Sequence, residues 1–187
     1  MPTATKTSAK SSKGTAAKST ASRKTGSDAA PDAIDLLIAD HREVKALFKE
    51  YDKLVKAEAD SGEKQVVAAQ ICVMLTAHAT AEEELFYPRA REVLGDDEDL
   101  VDEADVEHAS VKELIAQIEA GTPDDPLYDA KVKVLGEYIK HHVKEEEQPG
   151  GIFAQAKRGD EDLDAMGERM KARKQELMAQ LGKGKAN

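Results

Sequence analysis

The sequence predicts an all-α protein: an up-down-up-down four-helix bundle with a disordered N-terminal tail and an additional C-terminal helix. Three observations carry this. Apolar residues recur in steps of three and four along four long stretches, the period of one helix face. Short turn signals separate the stretches, so consecutive helices fold back on one another. No segment alternates like a strand, and aromatics are only 4% with no Trp, which disfavours an aromatic-rich β sandwich or a stacking-based nucleic-acid reader.

The tail comes first. Residues 1–26 hold Lys6, Lys10, Lys13, Lys18, Arg23 and Lys24 and no acid, a formal side-chain charge of +6. The net charge of −10 therefore leaves −16 on the rest of the chain. Ala, Ser, Thr and Gly fill the remaining positions, so residues 1–30 bury too little to offset their ordering entropy. The expected role of this tail is a flexible solvated segment, with weak nonspecific contact to an anionic surface such as nucleic acid as a further option. It lacks the apolar core of a secretory signal, and no apolar run approaches a membrane span, so the expected location is the cytoplasm.

The first helix follows from residue 31, with Ile34, Leu37, His41, Val44, Phe48, Tyr51 and Val55 on one face. Asp60-Ser61-Gly62 ends it. The second runs from about Glu63 to Arg91, its inward face reading Val67, Ile71, Met74, Leu75, His78, Glu82 and Leu85, and Pro88 should bend or end its last turns. After Gly95-Asp96-Asp97 the third places Val101, Ala104, His108, Val111, Ile115 and Ile118 inward. The run from Gly121 to Pro126 is a strong turn signal. The fourth reads Tyr128, Val132, Leu135, Ile139, His142 and Glu146, and stops at Pro149-Gly150-Gly151. A fifth amphipathic helix is expected from Glu161 to about Leu181. The domain reading is thus a tail over 1–30, a bundle over 31–157 and a C-terminal helix over 158–187.

The polar residues on these apolar stripes are the candidates for chemistry. Each long helix carries one inward His, and two also carry an inward Glu. A buried carboxylate without a partner costs several kcal/mol, and a cation would compensate two of them while ordering four imidazoles. Spacing supports a shared site. In an antiparallel bundle, residues at one height are equidistant from the intervening turn. The midpoints are 59.5 for His41 and His78, 93 for His78 and His108, and 125 for His108 and His142, each at or beside a turn. The four His should therefore occupy one layer. His78-x3-Glu82 and His142-x3-Glu146 each project from one side of a helix, and Glu is long enough to bridge two ions. Four imidazoles and two carboxylates with no thiolate suit iron, manganese or zinc, with iron preferred.

His141 and Glu145 form an alternative to His142 and Glu146, set about 100° round the helix. Tyr87 and Tyr138 read as rim or core packing, and the Met residues as core or brace packing. Cys72 reads as a small helix residue, and one cysteine excludes an internal disulfide framework. Glu83, Glu84, Glu145 and Glu147 read as a solvated face, with Glu83 or Glu145 the ones able to support a ligand. There is no Gly-rich phosphate loop and no nucleophile elbow.

The segment Asp40-His41, the stretch His78-Ala-Thr-Ala-Glu82 with Leu85-Phe86-Tyr87-Pro88, the isolated His108, and His142-Val-Lys-Glu-Glu146 resemble the hemerythrin HHE cation-binding domain. The resemblance spans about residues 33–157. It implies a four-helix bundle holding two iron ions in an oxo- or hydroxo-bridged centre. His41, His78, His108 and His142 would be terminal ligands, and Glu82 and Glu146 would bridge. It further implies a small ligand such as dioxygen, nitric oxide or peroxide, in oxygen handling or in oxidative or nitrosative stress. Two departures from the oxygen carriers stand out: Lys112 occupies the position of their second His on the third helix, and the fourth helix has His-x3-Glu rather than His-x4-Asp. One imidazole is missing; a water, another carboxylate or a Tyr could take its place, or the position could stay open. The alternatives to a binding protein are a peroxidase or nitric oxide reductase, and an iron-responsive sensor or interaction module.

Overall fold

The chain is described here by a computed structural model, which covers Met1 and residues 31–95, 99–159 and 162–184. The basic tail, with its expected anionic contact, lies outside the described residues. Helix α1 spans Ala33–Lys56, α2 Ser61–Ala81, a single π-helical turn Glu82–Phe86, and α3 Tyr87–Leu94. Then come α4 (Asp99–Glu119), α5 (Tyr128–Glu147), the short α6 (Ile152–Ala156) and α7 (Leu163–Gly184). Among the described residues there is no strand. No described helix is long and apolar enough to cross a membrane.

The starts of α1 and α2 follow from their caps. Asp32 accepts from Asp35 N at 2.8 Å and Asp60 accepts from Glu63 N at 2.9 Å, each satisfying a free N–H of the first turn. The bundle is a ring in which α1 packs on α2 and α5, and α4 completes it against both. One half of the core gathers Val44, Tyr51, Ile71, Val111, Ile115, Val132 and Leu135. The other gathers Ile34, Leu37, Phe86, Tyr87, Val101, Phe153 and Met166. Buried alanines, among them Ala77, Ala79 and Ala81, fill the space between, as expected of helices packed at close range.

Two features differ from the periodicity. The second helix does not end at Pro88. It widens into the π turn just before it, where Tyr87 N–H bonds to Glu82 O instead of the residue four back, and then continues to Leu94. Proline cannot donate and its ring crowds the carbonyl four residues earlier, and the wider turn absorbs both. Second, α6 is an element that the apolar pattern does not announce. It is held by the turn before it: Gly150 has φ +96°, and a Cβ on Gly151 would lie 2.1 Å from Glu145 O. Only glycines allow the chain to double back so tightly against the end of α5. The expected C-terminal helix forms as α7, which starts at Leu163 and lies along α1 and α2, with Met166, Met170 and Leu177 buried. Arg173 grips Glu84 with two bonds of 2.6 and 2.9 Å, and Lys174 pairs with Asp40.

Candidate metal centre

The two halves of the core meet at a layer of polar side chains. His41, His78, His108, His142, Glu82 and Glu146 are all at least 95% buried. The ring centroids of His41 and His78 are 5.0 Å apart, and those of His108 and His142 are 4.7 Å apart. The turn midpoints had placed these imidazoles at one height, and the structure brings them together there.

Each imidazole is held from outside by a carboxylate on its Nδ1. His78 meets Asp40 at 3.1 Å, His108 meets Glu83 at 3.0 Å, His142 meets Glu107 at 2.8 Å and His41 meets Glu147 at 2.8 Å. The arrangement is a closed cycle round the bundle. Asp40 on α1 holds the His of α2. Glu83, just after α2, holds the His of α4. Glu107 on α4 holds the His of α5, and Glu147 on α5 holds the His of α1. Every holder is the chain neighbour of an inward residue on its own helix, so one layer of four crossings builds the whole arrangement. Such partners fix the tautomer and leave Nε2 free to point inward.

The four Nε2 atoms converge on the two buried carboxylates. Glu82 Oε2 lies 3.1 Å from His78 Nε2 and 3.5 Å from His108 Nε2. Glu146 Oε2 lies 3.3 Å from His41 Nε2 and 3.4 Å from His142 Nε2. Each carboxylate thus touches one His from each of the two close-packed pairs. His41, His78 and Glu82 form one group with ligand atoms all within 4.8 Å, and Glu82, His108 and His142 form a second that shares Glu82.

Despite these short distances, His41 Nε2, His78 Nε2, both oxygens of Glu82 and Glu146 Oε2 have no hydrogen-bond partner. They face the same small volume without aligned donors. Buried polar atoms left unpaired cost about 1–3 kcal/mol each. A cation accepting those lone pairs removes the cost, and the N/O donor set without thiolate fits zinc, iron or manganese.

The electrostatics of the metal-free protein reflect the same crowding. Burial lowers the affinity of His78 for a proton, but Glu82 and Asp40 outweigh it and raise its pKa to about 10. His142 is likewise raised to about 9 by Glu146 and Glu107 against burial. His108 falls to about 3 through burial and the neighbouring His142. His142 Nε2 and His108 Nε2 lie 3.2 Å apart. Burial and the Glu146 charge push Glu82 up, whereas His142 and His41 outweigh burial at Glu146 and hold it down at about 2.

Tyr87 requires a correction. It packs in the core, but its hydroxyl is part of the centre: it donates to Glu146 Oε1 at 3.1 Å and lies 3.4 Å from His108 Nε2. Counted on an unbroken helix, Tyr87 sits about 140° from Glu82; one extra residue in the π turn reduces this to about 40°. Tyr138 is at the surface. Lys112, at the position where the oxygen carriers have a further His, turns outward to Glu83 at 2.7 Å. Glu83 and Glu147 are thus not a purely solvated face, and Glu107 is a member of the site that the periodicity missed.

His141 remains outside. It is exposed and lies 3.2 Å from Glu145 and 3.5 Å from Glu107, in a surface group already engaged through Glu107 by His142. Phe153 of α6 stacks on His41 with centroids 5.7 Å apart and an interplanar angle of 9°, closing the layer from one end.

Comparison with known proteins agrees with this geometry. Residues 32–149 match the hemerythrin HHE cation binding domain. A DNA nickase from Nostoc sp. is 33% identical over 152 residues, which cover 79% of this chain but only 40% of the relative. The chain therefore spans less than half the length of that protein. A crystal structure of a hemerythrin HHE cation binding domain-containing protein from Mycobacterium kansasii superposes with a TM-score of 0.63 at 22% identity, covering 80% of this chain and 88% of that one. That likeness is one of fold. Matched over most of its described length and carrying two buried His/Glu groups with metal-ligand spacing, the chain belongs to the hemerythrin HHE cation-binding family.

Proposed function

We propose that the chain is a non-haem di-iron protein that binds dioxygen or a related small ligand, nitric oxide or peroxide. His41, His78, His108 and His142 would be terminal ligands, and Glu82 and Glu146 would bridge the two irons. The observation that carries this reading is the set of unpaired buried atoms: two imidazole nitrogens and three carboxylate oxygens facing one volume. When bound, two irons supply the valence change that small-ligand binding or reduction requires.

The protein's own residues set the conditions. The Nδ1 carboxylates hold each ring with its Nε2 directed inward, where it would serve as a lone pair once any proton there is lost. Glu82 and Glu146 together neutralise two positive charges in a dry layer, where each interaction is stronger than in water. Tyr87 offers one hydroxyl beside Glu146 and His108, which would be a hydrogen-bond donor for a small ligand held there. Phe153 and the surrounding aliphatic core bury the layer, and the cavity among the four His is only about 10 Å3.

A second reading is favoured by the Nostoc relative: cutting of a DNA strand. Two cations on a carboxylate platform are able to hydrolyse a phosphodiester. The burial of every inward donor opposes this, because a polymer cannot reach them. Purified full-length protein should contain about two irons per chain and absorb in the near ultraviolet, with a change on adding nitric oxide or removing oxygen. A sample that nicks supercoiled plasmid in a metal-dependent way, yet shows no small-ligand spectrum, would favour the second reading.

A further inference from the structure

Between α1 and α5 runs an open groove of about 500 Å3 whose inner end reaches His41 and Glu147. Its floor is apolar: Val44, Phe48, Gly136, Ile139 and Val143. Gly136 sits inside α5, where glycine costs about 1 kcal/mol relative to alanine. A Cβ there would meet the Phe48 ring at 3.1 Å, so the missing side chain lets the ring lie flat against α5.

The rim is basic. Lys45 and Lys49 line it from α1, and Lys140 and Lys144 from α5. All four are exposed. Each pair stands at i,i+4, where like charges destabilise a helix. None of the four is paired with a carboxylate among the described residues, whereas Lys56, Lys64, Lys112 and Lys174 all are. Four uncompensated cations gathered at one apolar groove, on a chain of net charge −10, are an electrostatic match for an anion. The two carboxylates at the groove ends, Asp52 and Glu147, are committed to Lys56 and His41. They also limit the anion's length, because a polyanion continuing past either end would meet negative charge.

We propose that this groove binds an amphipathic carboxylate of the fatty-acid type, with its chain on the Phe48–Ile139–Val143 floor and its carboxylate held by the lysine rim. From residue 41 to residue 52 the helix rises about 16 Å, the length of an extended chain of about twelve carbons. The volume lies in the range of small-molecule sites, roughly 300–1,000 Å3. A buried apolar chain with its charged end at a flexible ammonium uses each part of the groove for what it is chemically suited to.

The test is calorimetric titration of the full chain, metal-loaded and metal-free, with dodecanoate below its micellar range. One saturable site per chain is expected in both forms, so failure of the metal assignment would not remove it. Dodecanol, which lacks the charge, and acetate, which lacks the chain, should bind at least about tenfold more weakly. The variant Lys45→Gln/Lys49→Gln/Lys140→Gln/Lys144→Gln should also lose at least about tenfold with its helical circular dichroism and metal content unchanged. Absence of saturable dodecanoate binding overturns the proposal. So does equal binding by the lysine variant, or displacement of dodecanoate by a single-stranded oligonucleotide, which would make the face a polyanion surface.

Discussion

Replacing Glu82 with Leu should have opposite effects on the metal-free and metal-loaded protein. Glu82 is fully buried with neither oxygen hydrogen-bonded, and the Glu146 charge adds to the penalty. Removing an unsatisfied buried polar group recovers about 1–3 kcal/mol, and His78, which keeps Asp40 at 3.1 Å, sheds its proton more readily rather than standing as an unpaired buried charge. Leu is close in size, and the layer is bordered by Phe86, Ala81 and Tyr87, so no large cavity results. At about 2–4 °C per kcal/mol for a chain of this length, a gain near 2 kcal/mol raises the metal-free melting temperature by about 4–8 °C. Metal reverses the order. Wild-type protein at a thousandfold excess of free metal over Kd gains about 4 kcal/mol, and a variant lacking the shared ligand gains little. Thermal denaturation by circular dichroism, with chelator and then with ferrous iron under argon, reads both effects. A variant less stable than wild type with chelator, and equally stabilised by iron, would refute the reasoning that Glu82 is held for a cation.

The other predictions address single features of the site. Glu107→Gln should weaken metal binding by about 10–100-fold while leaving the bundle folded, because His142 loses its anionic holder; competition with a chromophoric chelator measures this. Tyr87→Phe should keep full metal content but change the affinity for nitric oxide, read by absorption titration, since it deletes the one hydroxyl near His108 and Glu146. Gly151→Ala should destabilise by more than about 2 kcal/mol in urea denaturation, because its methyl would collide with carbonyls of Glu145 and Glu146. Docking of α7 should loosen in acid. Arg173 holds the Glu84 carboxyl below its ordinary value of 4.5, so the stabilisation is present above that pH and is lost as pH falls through the lowered value. Hydrogen exchange in residues 163–184 should rise as the pH is lowered below 4.5.

The bundle and the inward histidines are legible in the sequence because both depend on local periodicity and on turn positions. The four-residue spacing of His78 and Glu82, and of His142 and Glu146, survives any helix that keeps its period. Tyr87 is not legible in this way: the π turn over Glu82–Phe86 changes the period just before it, and periodicity assumes a constant angle. Pro88 is the one visible signal, and it reads equally well as a break. Asp40, Glu107 and Glu147 are hidden for a different reason, and Glu83, legible as an option, shares it. Each stands one residue from an inward position, pointing toward the flank of its own helix, and acquires its role only from the His of the next helix. The short α6 carries too few residues for a period, so its Ile152-Phe153 pair gives no hint that Phe153 stacks on His41.

The central claim is that six side chains in one layer hold two irons. Iron quantitation by plasma emission spectroscopy on full-length protein, alongside His78→Ala and His142→Ala variants, tests it most directly. Two irons per wild-type chain, with fewer in each variant, is the predicted result. Protein that stays folded but retains no iron after reconstitution, or variants that bind as much as wild type, would contradict it.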